Sequence, residues 1–454
     1  MSMSIGGIVS GLDTAGIVDQ LMQIEAQPQA QIKSKKAETE SFVTALNSLN
    51  VKVGSLAEQA AKSAKAANYD VWKGTSSNAS VTVTTAAGAG AGSLEFRVDQ
   101  LAAGKSLLSG ALADAGSLLT DGAFTYTTGT GDDAKTHTIT PASNSVEDLA
   151  AAINADKDSG LKATVIKAGG TTRIQLTASA TGAEAGDFAI TSGNGESGFQ
   201  TISTAKDAQI TLWPGLGLEG TEVTSASNTF ADLMPGVSLT VTKVSAADAD
   251  PIKVSVARDD AAITKLGSDL VSQLNQVFSE ISSRSAVTTS TDSSGKQTTK
   301  GGIFTGDSTT RDIVTRLTDA VMYPVNGMSP STIGISLASD GTLSFDADKF
   351  AQAMKDDPAG TQDFLTQLAG RVQTTAESYS DKYEGSLTMR ITSQQTLVTE
   401  YGKQIDDWDL RLQQRRDTLN ATYTAMEVAL QSLQAQAGQL SGALSSMLSQ
   451  TGQK

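Results

Sequence analysis

Seven apolar residues near the C-terminus, Ile405, Leu412, Leu419, Met426, Leu433, Leu440 and Met447, stand seven positions apart without interruption. A strict seven-residue repeat draws one narrow apolar seam along a helix and requires a second helix beside it. From Tyr423 onward the other seam position is filled too, by Leu430, Ala437 and Leu444. Upstream it holds Asp409 and Arg416, so the seam there is one-sided or faces a different neighbour. The spacing predicts a helix of about 50 residues and about 75 Å, too long to stand on propensity alone. A matching seam lies near the other end of the chain, where Phe42, Leu46, Leu49, Val53, Leu56 and Ala60 alternate steps of four and three. Gly54 sits within it and costs about 1 kcal/mol relative to alanine. The two ends of the chain are therefore expected side by side.

Ahead of the first seam, Asp13 reads as a helix cap with Ile17, Leu21 and Ile24 forming a stripe behind it, and Pro28 interrupts that helix or begins the next. The middle of the chain changes character. Segments 80–85, 94–98, 161–166, 172–176, 208–213, 237–244 and 252–256 alternate with period two, are rich in Val, Ile and Thr, and are punctuated by Gly, Asn, Asp and Ser. That is antiparallel sheet, broken by one short helix that Ser145 and Asp148 cap. Helical pattern returns after Asp259 or Asp260. The Ser/Thr/Gly-rich stretch 282–301 is expected not to order itself, and a hairpin turning at Asp340-Gly341 is expected near 335–346.

The fold class that follows is α+β: a discontinuous helical coiled-coil or bundle trunk from both chain ends, with inserted antiparallel β domains. The expected divisions are an N-terminal leg segment over 1–42, flexible in isolation, and a first trunk part over 43–70. Two β domains follow over 71–256, one of them roughly 111–206. The second trunk part spans 257–400, and a long C-terminal coiled-coil helix or leg spans 401–454.

Composition removes most chemistry. The chain has no Cys and one His, so thiol nucleophiles, zinc ribbons, iron–sulfur sites and poly-His metal sites are not expected. A formal charge of −15 with few basic clusters argues against nucleic acid as a partner. No run of 18 apolar residues is present, so no membrane span is expected, and residues 1–16 lack a basic then apolar lead of the general secretory type. The Asp-Gly motif at Asp340 lacks the acidic spacing of a calcium loop. The glycine-rich stretches 88–92 and 215–220 do not open a helix after a parallel strand, as phosphate cradles do. His137 reads as an outward side chain on a strand. With aromatics at 5%, sugar-binding platforms are scarce. The reading is no enzyme, no cofactor and no metal.

The ends carry a family resemblance. Residues 4–28, SIGGIVSGLDTAGIVDQLMQIEAQP, are similar to the opening of the flagellar filament cap family, flagellar hook-associated protein 2. The match runs through Leu12, Asp13, Thr14, Ile17, Leu21, Met22, Glu25 and Pro28. Collinear matches follow: VDQLAAGKSLLSG at 98–110, SNTFADLMPGVSLTV at 227–241, GIFTGDSTTRDI at 302–313, IGISLASDGTLSFDADKF at 333–350, and the Tyr-Thr-Ala-Met step at Tyr423 to Met426, where the family more often has Phe first. The resemblance is weakest over about 111–206.

It implies a non-enzymatic assembly protein: an extracellular cap at the distal tip of the bacterial flagellar filament, exported by flagellar type III secretion without a cleaved signal. Copies would associate as a ring-like homo-oligomer through the β plate and promote insertion and folding of exported flagellin. Flagellin, hook–filament junction proteins and an export chaperone are the implied partners. The residues expected to engage the filament are Leu12, Ile17, Leu21, Ile24, Leu430, Leu433, Leu440, Leu444 and Met447. Phe42, Leu46, Leu49, Val53, Leu56, Ile405, Leu412, Leu419 and Met426 are expected to form the trunk seam. Two rival readings are another axial flagellar part, junction protein or flagellin, and a surface adhesin whose β domains bind host mucin glycans.

Overall fold

The computed structural model describes residues 13–131, 134–217, 221–291 and 293–451, with side chains as far as residue 446. The fold class is α+β. Eight α-helices stand among the described residues: α1 (Thr14–Glu25), α2 (Gln27–Ser63), α3 (Val146–Ala155), α4 (Asp260–Ser285), α5 (Ser308–Met322), α6 (Ala347–Asp356), α7 (Pro358–Ser380) and α8 (Ser386–Thr451). The chain forms two compact units, one drawn from both of its ends and one from residues 66–263 between them.

In the helical unit, Asp13 caps α1 by accepting from the Gly16 amide at 2.9 Å, and Pro28 lies in the first turn of α2, where its missing N–H costs nothing. Helix α2 runs unbroken through position 42 and α8 through position 400, so both expected leg–trunk divisions fall inside continuous helices. At 66 residues, α8 is about 100 Å long. Leu46, Leu49, Val53, Leu56 and Ala60 are all fully buried along α2. The helix packs along α7 as well as α8, so the core has a member that a pairing of the two chain ends did not include. From α7 come Phe364, Leu365, Leu368, Ala369 and Val372, from α5 Ile313, Leu317 and Val321, and from α8 Leu387 and Ile391. Phe42 departs from the seam: half-buried, it meets Phe304 edge-on at 6.1 Å with the Arg390 guanidinium 5.0 Å from its ring centroid.

A small hairpin, Ile335–Leu337 with Leu343–Phe345, is clamped to α4 by Asn275, whose amide donates to Leu343 O at 2.7 Å and accepts from Leu343 N at 2.9 Å. The stretch expected to lack order is a correction. Its first residues finish α4, and Val287–Thr291 then pairs with Gln297–Gly301 through five rungs. Threonine's branched side chain favours an extended backbone even where nothing is buried, and every residue of both strands is exposed. The hairpin is rooted firmly. Gly302 donates to Ala286 O at 3.0 Å and Phe304 to Arg284 O at 3.0 Å, and a Cβ at Gly302 would lie 2.2 Å from Arg284 O.

The middle unit holds two hydrophobic cores, with antiparallel pairing throughout. One lies between a five-stranded sheet, ordered Trp72–Ser76, Ile252–Arg258, Gly92–Gln100, Ala208–Leu212, Glu222–Ser225, and a three-stranded sheet of Thr229–Met234, Val237–Val241 and Val81–Thr85. Phe96, Val98, Ile210, Leu239 and Val254 are fully buried there. The other core gathers Phe124, Tyr126, Leu149, Ile153, Ile174 and Leu176 between a four-stranded sheet, a three-stranded sheet and α3. Ser145 caps α3 by accepting from Asp148 N at 3.0 Å. His137 is on a strand, Lys135–Ile139, but is half-buried rather than outward: it stacks on Tyr126 at 5.2 Å and pairs with the Thr128 hydroxyl at 2.9 Å.

Candidate assembly surface

The candidate surface is built from α1 and the lower part of α8. Helix α1 packs along α8 through Val18 and Met22, with Thr14 completing the buried face. The stripe read from sequence lies on a different face of the helix. Ile17 is half-buried, Leu21 is exposed and Ile24 is 69% exposed. At 100° per residue the second set lies about a quarter turn from the first. Helix α1 therefore carries an apolar face packed inward and another turned out.

Polar contacts fix how α1 and α2 sit on α8. Gln29, buried at the start of α2, donates to the Asp409 carboxylate at 2.6 Å and to Ile405 O at 3.3 Å, while its own oxygen accepts from Lys33 Nζ at 3.2 Å. Arg416 pairs with Asp19 at 3.0 Å and Arg415 with Glu25 at 3.2 Å. Asp409 and Arg416 are the two interruptions in the second seam position. They face α2 and α1, and each has a partner at which it is the right residue.

Along α8 burial declines in one direction. Leu387 and Ile391 are buried, and Ile405, Leu412, Leu419, Met426 and Leu430 are half-buried. Leu433, Leu440 and Leu444 are exposed at 60%, 67% and 58%. Leu12 lies outside the described residues, as does the side chain of Met447. Charge disappears along the same length: residues 428–451 contain no Asp, Glu, Lys, Arg or His. A single exposed leucine needs no explanation, but a repeating series on an uncharged helix is the composition of a surface built for burial.

Sequence pattern does not single out Val18, Phe304 or Arg390, and Met22 enters only through the family match. Val18 and Met22 stand four apart on one helical face, the spacing of an inward stripe. Phe304 stands within the matched stretch 302–313, between Gly302 and the cap residue Asp307.

A family model described as the flagellar hook-associated protein 2 C-terminus matches residues 205–435, and one for the N-terminus matches residues 10–105. The lateral flagellar hook-associated protein 2 of Vibrio parahaemolyticus is 31% identical over 225 residues, 48% of this chain and 48% of that one. The B-type flagellar hook-associated protein 2 of Pseudomonas aeruginosa is 26% identical over 451 residues, 91% of this chain and 89% of that one. The D1-D2-D3 domains of the flagellar cap protein FliD from Escherichia coli share the fold, with a TM-score of 0.57 at 21% identity over 77% of this chain and 99% of that chain. The C-terminal model alone spans just over half of the sequence, so this chain belongs to the flagellar hook-associated protein 2 family, structural proteins of the bacterial flagellum.

Proposed function

We propose that the chain is one subunit of the cap at the distal tip of the flagellar filament, outside the cell. There a ring-like homo-oligomer rests its helical ends on the growing filament and promotes insertion and folding of exported flagellin. The β unit would carry the plate through which subunits associate. Hook–filament junction proteins would be neighbours at the first stage of growth, and an export chaperone would accompany the chain before passage through the flagellar type III channel. The role is mechanical.

The observation that carries this reading is the exposed, uncharged stripe of Leu433, Leu440 and Leu444 on α8. Burying a leucine contributes about 1.5–3 kcal/mol, and association costs several kcal/mol in lost freedom, so a few such contacts make a joint that holds and lets go. A cap that must move as each subunit enters needs that kind of joint. The outward face of α1, Ile17, Leu21 and Ile24, would extend the same contact.

The test is a Leu433→Asp, Leu440→Asp chain supplied to cells lacking their own copy. Its circular dichroism should match the parent because both side chains are already in water, while filaments are lost and flagellin collects in the medium. Filaments of normal length would overturn the assignment of α8 to filament contact.

A further inference from the structure

The hairpin Val287–Thr291 and Gln297–Gly301 is a two-stranded sheet, so among the described residues each strand has one edge that no other strand pairs. All of its strand residues are exposed. Two-stranded sheets of this kind are marginal on their own. The hydroxyls add little: Thr288 donates to Lys300 O at 3.3 Å, Ser290 to Thr298 O at 3.5 Å, and Thr289 and Thr299 lie 3.5 Å apart. On the helices of the same unit, by contrast, threonine hydroxyls hold the carbonyl four residues back at 2.7–3.1 Å.

Natural sheets guard free edges with charge, proline, a bulge or a cover. The strand Val287–Thr291 has none of the first three: its sequence VTTST is uncharged, four of its five residues are β-branched, and its register runs without a shift. Its neighbour carries Lys300. We propose that Val287–Thr291 pairs antiparallel with the same strand of a second copy of this chain, about a two-fold axis through Thr289. That register sets Thr289 opposite Thr289, Thr288 opposite Ser290 and Val287 opposite Thr291. No charge meets a like charge, although the chain as a whole carries −15. The paired arms form one four-stranded sheet, and the hydrogen bonds of Gly302 and Phe304 to Ala286 O and Arg284 O tie its root to the end of α4. The contact is isologous, adds a two-fold axis to whatever ring the subunits form, and does not depend on the cap reading.

The chain has no Cys, which makes a clean test possible. In a Thr289→Cys chain, the two-fold axis brings the paired α-carbons to about 4.5–5.5 Å, within disulfide range. Mild oxidation should give a reducible covalent dimer at least about tenfold faster than in a Tyr383→Cys chain, whose position is 78% exposed and reports random collision. A Thr289→Pro chain, which removes an edge N–H without touching the core, should sediment as a smaller species than the parent. Equal rates of disulfide formation at the two cysteine positions would overturn the proposal. So would unchanged sedimentation of the proline variant, the result expected if the arm instead takes up an extended segment of another protein.

Discussion

Arg390 on α8 grips Asp307, the cap residue of α5, with both ends of its guanidinium: Nη1 lies 3.0 Å from Oδ1, and Nη2 closes on Oδ2. Burial alone would raise the Asp307 pKa, but the guanidinium and the Thr310 amide outweigh it and hold the carboxyl below its usual range. A folded-state pKa below the unfolded one contributes stability that is complete above about pH 4 and is lost as the pH falls from there. Arg390→Ala should therefore cost about 3 kcal/mol in urea unfolding at neutral pH, and the gap to the parent should narrow as the solution is acidified. A gap that stays constant with pH would mean the side chain acts only by packing over Phe42.

Leu49 and Leu433 separate the permanent core from the proposed contact surface. Leu49 is fully buried on α2, and Leu49→Ala is expected to cost about 3 kcal/mol, read as an earlier denaturant midpoint. Leu433→Ala should stay within about 0.5 kcal/mol of the parent in the isolated chain. Equal losses at the two positions would show that α8 is covered in the free molecule.

Tyr126 makes the β unit sensitive to alkali. Its ring is buried, its hydroxyl donates to Ser159 O at 2.7 Å, and burial pushes its pKa up to about 12. The unfolded chain releases this proton near pH 10, so the stabilisation is whole below about pH 10 and drains as the pH rises toward about 12. Thermal melts of Tyr126→Phe should show a shallower alkaline decline than the parent. Identical slopes would refute the assignment.

The Gln29–Asp409 hydrogen bond is expected to set how the chain ends lie against each other. Asp409→Ala leaves the Gln29 amide nitrogen with only the 3.3 Å contact to Ile405 O, a loss of about 1–2 kcal/mol confined to the packing of α1 and α2 on α8. Hydrogen exchange should then quicken in α1 and around Ile405 to Leu419 while α7 keeps its protection. Faster exchange throughout the helical unit would mean that the contact belongs to the global core.

The helical seam was legible because burial and spacing agree: Leu46, Leu49, Val53 and Leu56 follow the four–three rhythm and are fully buried. The third helix in that core carries the same kind of spacing, Leu365, Val372 and Tyr379 seven apart with Leu368 between them, but only about two and a half turns of large apolar residues mark it, and its partner is chosen by tertiary packing. On α1, apolarity marks the outward stripe Ile17, Leu21 and Ile24, whereas the inward face also uses Thr14, a residue that a hydrophobicity pattern passes over. The arm at 287–301 reads as unordered from sequence because it buries nothing. Backbone pairing between threonine-rich strands leaves no hydrophobic signature to read.

The uncharged length of α8 has a consequence for where such a protein can work. Residues 428–451 bring no ion of their own to be stripped of water, so salt screening takes nothing from this chain's side of a contact made there. A cap held to its filament in the proposed way would grip alike in fresh water and in brine.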